Sequence, residues 1–191
     1  MLTLGNKLTY MSNGILRMLV LASIFATSVC APTGARSLVS DITAPELNMS
    51  ATNKAVVTTA FIGWMGGHNE SLQSLLSDDI EWNISGNSAA AGKTKGKPEL
   101  MRRVLGPFGA RFSTSKNPFR PRELNGVFAD GDVVVVHFSG AGTTNDGTRY
   151  ENDYVWLLTM RNGKAVKATA FFDSIAFNEL WRVKPADLHQ N

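Results

Sequence analysis

Three turn dipeptides divide the second half of the chain into strands, and nothing else in the sequence constrains the fold as tightly. Asp130-Gly131 separates Val127-Phe128 from Val133–Phe138, Asp146-Gly147 separates that strand from Tyr150–Met160, and Asn162-Gly163 separates the next pair, Tyr150–Met160 and Ala165–Phe172. Asp-Gly and Asn-Gly supply the left-handed backbone that matches the twist of paired antiparallel strands, so the spacing predicts a β-meander. Val133–Val136 is apolar at every position, the pattern of a strand covered on both faces.

The first half carries helical periodicity. Ala51, Val56, Ala60, Phe61, Trp64 and Met65 predict one helix from about Ser50, ended by Gly66-Gly67. Asn69 is a candidate cap for a second, with Leu72, Leu75 and Leu76 on its buried side. Asp78-Asp79 leads into a strand in which Ile80, Trp82 and Ile84 alternate with Glu81, Asn83 and Ser85. Residues 86–96 read as a loop, and Pro98 opens a third helix whose apolar face is Leu100, Met101, Val104, Leu105 and Phe108. Gly109–Arg122 is irregular and basic, and Ile175–Trp181 forms a short closing helix. Helices segregated from an antiparallel sheet make an α+β fold. A strongly curved sheet with helices on its concave side leaves a cavity between the layers, where pockets form.

The remaining ends are assigned by composition. Met1–Ser28 contains Lys7 and Arg17 but no acidic residue, and Met18–Val29 is apolar or small throughout. That run is shorter than the roughly 20 residues of a membrane span and matches a secretory signal, expected over residues 1–35. A flexible tether is expected over 36–49, the folded domain over 50–182 and a polar tail over 183–191. The chain is therefore expected to be exported, periplasmic or secreted, with no stable membrane insertion after cleavage. Cys30 is the only cysteine, so a chain cut beyond it has neither disulfides nor a thiol nucleophile. Loss of Lys7 and Arg17 leaves 17 basic residues against 16 acidic ones, a balance that argues against a nucleic-acid partner.

Several features invite a site and do not fit one. Gly86 and Gly92-Lys93-Thr94 mimic a phosphate loop, but five residues separate the glycines where the motif needs four. The basic residues from Lys93 to Arg122 read as a solvated surface. His68, His137 and His189 lack ligand spacing, so no metal is expected. Tyr150, Asn152, Tyr154 and Trp156 share one strand face by the period of two, and an inward Asn152 needs a hydrogen-bond partner, either a ligand or the protein. Asp173, at the end of the last strand, is either a helix cap or a pocket acid.

The phrases Leu75–Trp82, Gly92–Lys97, Tyr150–Tyr154, Asn162–Lys164 and Phe171–Asp173 together resemble the SnoaL-like branch of the nuclear transport factor 2-like superfamily. The resemblance covers roughly Ser50–Leu180. It implies a cone-shaped α+β roll, three N-terminal helices against a curved antiparallel sheet, often a homodimer through the outer sheet face, and one pocket. That family includes polyketide cyclases, ketosteroid isomerases, epoxide hydrolases, dehydratases and binding or transport modules, so the fold does not choose the function. The acids and the tyrosine that such enzymes use are replaced here by Asn83, Ala170 and Phe61. The expectation is a small, apolar or carbonyl-bearing ligand, bound without a cofactor by Phe61, Trp64, Trp82, Tyr150, Asn152 and Trp156. The alternative is a cofactor-free isomerase, cyclase, dehydratase or hydrolase with Asp173 as acid or base.

Overall fold

The structure, a computed structural model, describes residues 44–186. The expected signal, most of the tether and the last residues of the tail lie outside the described residues. Helix α1 (Ala44–Met65) begins six residues before the expected Ser50, taking in part of the expected tether, and α2 spans Asn69–Leu75. Strands β1 (Leu76–Ile84) and β2 (Gly92–Lys95) follow. Helix α3 (Lys97–Leu100) runs through a π-helical turn, Met101–Leu105, into α4 (Gly106–Ala110). Then come β3 (Arg120–Asp130), β4 (Val133–Thr143), β5 (Arg149–Arg161), β6 (Lys164–Phe172) and α5 (Ser174–Arg182).

The six strands form one curved sheet in the order β2-β1-β6-β5-β4-β3. All neighbours are antiparallel except β1 and β6, which run parallel. The turns follow from their residues. Asn162 and Gly163 both have positive φ, 52° and 72°, as a type I′ hairpin requires. Register shifts interrupt β1–β6, β3–β4 and β5–β6, and such bulges bend a strand and increase its local twist.

Along β4 and β5 alternate residues turn inward. Val134, Val136, Phe138, Trp156 and Leu158 are buried, and α1 lays Val57, Ala60 and Phe61 over them. Each of the buried Val, Leu and Phe side chains contributes roughly 1.5–3 kcal/mol by leaving water. The α1 stripe differs from the expected one at its start, where Ala51 is exposed and Asn53 is buried. Asn53 Nδ2 donates to Gly131 O at 3.1 Å and Ser50 Oγ accepts from Gly131 N at 2.8 Å. The helix therefore clamps the β3–β4 turn with polar groups where apolar contact was expected. Other expectations also shift. His68, not Asn69, occupies the α2 cap position, and its side chain makes no capping bond. Part of the expected loop over 86–96 is β2, pairing Trp82 with Thr94 and Ile84 with Gly92.

Candidate functional site

The concave side of the sheet and the helices enclose an aromatic cavity of about 60 Å³. The sheet contributes Trp82 from β1, Phe138 from β4, Tyr154 and Trp156 from β5, and Ala170 and Phe172 from β6. Trp64 of α1, Leu105 of the π turn, Phe108 of α4, Phe119 and Phe177 of α5 close it. The rings are interlocked. Trp64 stacks on Trp156 at 6.0 Å and 26°, Phe138 stacks on Tyr154 at 4.8 Å and 9°, and Trp82 meets Trp156 edge-on at 4.9 Å and 84°.

Local sequence explains how the wall is built. Ala168 and Ala170 on β6 pair with Trp82 and Trp156 respectively, and these small residues leave room for two indoles to meet across the intervening strand. On β4 the inward series changes from Val134, Val136 and Phe138 to Gly140 and Gly142. A Cβ on Gly140 would stand 2.3 Å from the Phe119 ring, and one on Gly142 would stand 2.6 Å from the Phe119 backbone nitrogen. The two glycines admit the segment that carries Phe119. At the π turn, a Cβ on Gly106 would fall 2.6 Å from Met101 O, so glycine permits the wide turn that precedes Phe108.

Of the expected site residues, Trp64, Trp82 and Trp156 line the cavity. Phe61 is fully buried behind them, 5.5 Å from the Trp156 ring. Tyr150 and Asn152 lie outside the lining and form a polar clamp. Asn152 Nδ2 donates to Tyr150 Oη and to Asp173 O, each at 3.0 Å, while Asn152 Oδ1 accepts from Asp173 N at 3.0 Å. The protein thus satisfies Asn152 itself. Tyr150 and Tyr154 hydroxyls are 2.8 Å apart, which connects the clamp to the cavity wall. Burial raises both tyrosine pKa values, Tyr154 well above the ordinary range with a further push from Tyr150 beside it.

Asp173 is exposed and caps α5, its Oδ1 accepting from Ile175 N at 2.8 Å. It borders an open groove of about 840 Å³ with Arg122, Arg149, Glu151 and Asp153, and is not part of the aromatic lining. Ala170, where many relatives of the expected family carry an acid, does open on the cavity. Among the described residues that line the cavity, the Tyr154 hydroxyl is the only titratable group. Sequence reasoning did not assign Phe119, Phe108, Phe138, Phe172 or Phe177 to this wall. The signal available for Phe119 was the pair of inward glycines, which require a filler from elsewhere in the chain.

One member of the basic stretch departs from the solvated reading. Arg111 is buried, donating to Pro107 O at 2.6 Å and Trp181 O at 3.0 Å, with its guanidinium 3.9 Å from the Trp181 ring. It ties α5 to α4 behind the cavity. Among the described residues no three His, Cys, Asp or Glu side chains gather into a metal-binding group, and no helix is long and apolar enough to cross a membrane.

Known structures share this architecture. Bal32a, from a soil-derived mobile gene cassette, superposes with a TM-score of 0.59 at 22% identity, covering 71% of this chain and 100% of its own. TerC, co-crystallised with polyporic acid, gives 0.53 at 27% identity over 68% of this chain and 98% of its own. A putative SnoaL-like polyketide cyclase from Jannaschia sp. CCS1 gives 0.54 at 17% identity over 72% and 96%. No curated protein matches the chain. The model of the SnoaL-like domain matches residues 57–168, more than half of the chain, and the chain therefore belongs to the SnoaL-like family of nuclear transport factor 2-like proteins.

Proposed function

We propose that the protein is an exported homodimer that binds a small, largely apolar molecule in the aromatic cavity, without acid–base chemistry. The observation that carries this reading is the lining, which surrounds a ligand with indole and phenyl rings and offers no carboxylate, imidazole or amine. General acid–base catalysis needs a titrating group within reach of the proton it moves. Tyr154 is held neutral by burial, and Asp173 is engaged in capping. These facts weigh against an isomerase, cyclase, dehydratase or hydrolase that uses Asp173. A fold-mate co-crystallised with polyporic acid supports small-molecule binding as a use of this architecture. Export rests on the composition of residues 1–35 alone.

Ligand pockets usually measure about 300–1,000 Å³, so binding requires the cavity of about 60 Å³ to open. Binding widens it at the partly buried rim residues Trp64, Leu105, Phe108 and Phe172. The test is a titration of ¹⁵N-tryptophan-labelled protein with the apolar probe α-methylstyrene, followed by the indole resonances. Trp64, Trp82 and Trp156 should shift and saturate, whereas Trp181, which reaches the lining only through its stack on Phe177, should shift less. Lining resonances that stay fixed up to the solubility limit of the probe would remove the binding reading.

A further inference from the structure

On the helix side, α1, α2, the π turn, α4 and the segment before β3 border a second space, a groove of about 490 Å³. The groove and the aromatic cavity share four lining residues, Trp64, Leu105, Phe108 and Phe119, so the two spaces meet at these side chains. Three further surface grooves do not adjoin the cavity in this way. The one beside β1 and β2 shares with it only Trp82, which is 3% exposed, and those bordered by Asp173 and by Thr144 share nothing with it.

The rings at the junction are held with different firmness. Trp64 belongs to the 22-residue α1 and stacks on Trp156 at 6.0 Å. Phe119 is 8% exposed and fills the place that Gly140 and Gly142 leave for it. Phe108 is half-buried and stands in the five-residue α4 directly before Gly109, where a Cβ would meet nothing within 4 Å. The turn before it is π-helical, with Gly106 N donating to Met101 O, and such turns recur at functional sites. Arg111 holds Pro107 O at 2.6 Å, so the backbone beside Phe108 is tethered and its ring is the part with room to turn.

We infer that this groove is the entrance to the aromatic cavity and that the Phe108 ring is its gate, turning outward to admit a ligand past Trp64 and Phe119. This rests on the binding reading above and says where the cavity opens. The groove lining carries no charged side chain, so an uncharged apolar molecule reaches the gate without displacing a strongly hydrated group.

Line-shape analysis of the indole resonances during the α-methylstyrene titration of the full-length chain reads the binding rates and the affinity together. Gly109→Phe and Gln73→Phe place a ring in the groove from opposite walls, at exposed positions outside the cavity lining. Each should slow association and dissociation alike, by about tenfold, with Kd within about twofold, because a narrowed passage acts on both directions. Phe108→Ala should speed both rates, with the affinity also changed because the ring lines the cavity. Wild-type rates in both groove variants would put the entrance elsewhere and overturn the inference, with binding itself intact. Faster dissociation at unchanged association would make the groove a contact surface of the bound ligand and would also overturn it. A Phe108→Ala variant no faster than the wild type would remove Phe108 as the gate. Absence of any saturable shift in the wild-type chain would remove the binding reading and the inference together. Should one groove variant not fold, the other decides.

Discussion

The two faces of the sheet are made from alternate residues of the same strands, and they have opposite fates. On the inner face Val134, Val136, Phe138 and Trp156 are covered by helices of the same chain. On the outer face Phe128, Val133, Leu157 and Phe171 remain 64%, 37%, 38% and 43% exposed. These outer residues are not scattered. Phe128 pairs with Val135, Val135 with Leu157, and Val155 with Phe171, which places them in adjoining rows on three strand pairs. Within this patch the outer face is as apolar as the inner one, and the presence of a cover is what separates them. A contiguous exposed apolar patch marks an interaction surface more often than a single exposed side chain does, and the cover we propose for it is the same face of a second copy.

The sharpest break in the comparison lies between two consecutive residues. Trp156 points inward and Leu157 outward. Trp156→Ala removes a ring in contact with Phe61, Trp64, Trp82 and Phe138, and should cost about 3–5 kcal/mol. Chemical denaturation reads this as a lower midpoint at unchanged slope. A loss under about 1 kcal/mol would mean that the cavity wall is not part of the core.

The outer face responds in a different observable. Leu157→Glu should leave the fold of each chain intact and weaken self-association by about 2 kcal/mol, some thirtyfold, because a carboxylate is placed in a desolvated interface. Light scattering at micromolar concentration should give twice the chain mass for the wild type and a single chain for the variant. A wild-type chain that runs as a monomer there ends the proposal of a dimer.

How much of this was legible in the sequence depends on whether the cause was local. Asn162-Gly163 fixed its hairpin because both residues adopt positive φ, and the alternation in β5 correctly grouped Tyr150, Asn152, Tyr154 and Trp156 on one face. Alternation does not say where along the strand the cavity ends. Tyr150 and Asn152 share the face but reach the β6–α5 junction, so the clamp was half-read as a ligand site. Strand β2 was hidden because Gly92–Lys95 buries only Thr94, and a short edge strand protected by lysines has no apolar pattern to detect. Phe119 was missed for a tertiary reason, since its only signal is the space left by glycines more than twenty residues further along the chain.

Alkaline pH tests the inner face through its two buried tyrosines. Burial raises the Tyr150 and Tyr154 pKa values above 10.0, so above about pH 10 the unfolded chain releases these protons before the folded one. The sign follows from linkage: the contribution is complete below pH 10 and declines as pH rises through the folded-state values, by up to about 1.4 kcal/mol per pH unit for each tyrosine. Tyr150→Phe and Tyr154→Phe should each flatten the fall of denaturation midpoint above pH 10. An unchanged slope in both variants would mean that the hydroxyl pair titrates as freely as in the unfolded chain.

Asp173 stands where the two faces meet, and its substitution gives the smallest expected effect. Its backbone is held from the inner side, where Asn152 pairs with both its N–H and its carbonyl. Its carboxylate accepts from Ile175 N. The inward attachment is made by main-chain atoms that any residue retains, so a substitution tests the outward role alone. Asp173→Asn keeps an oxygen for the cap and should be nearly neutral, whereas Asp173→Ala leaves the first turn of α5 uncapped and should cost about 0.5–2 kcal/mol. Both variants should bind α-methylstyrene as the wild type does, because the carboxylate is outside the aromatic lining. The same pair of variants examines the catalytic alternative. If a turnover activity is found, a capping aspartate predicts that Asp173→Asn retains it, while an acid or base predicts its loss with stability unchanged. Loss of turnover in a fully stable Asp173→Asn variant would assign the chemistry to the outer groove and leave the aromatic cavity as the core beneath it.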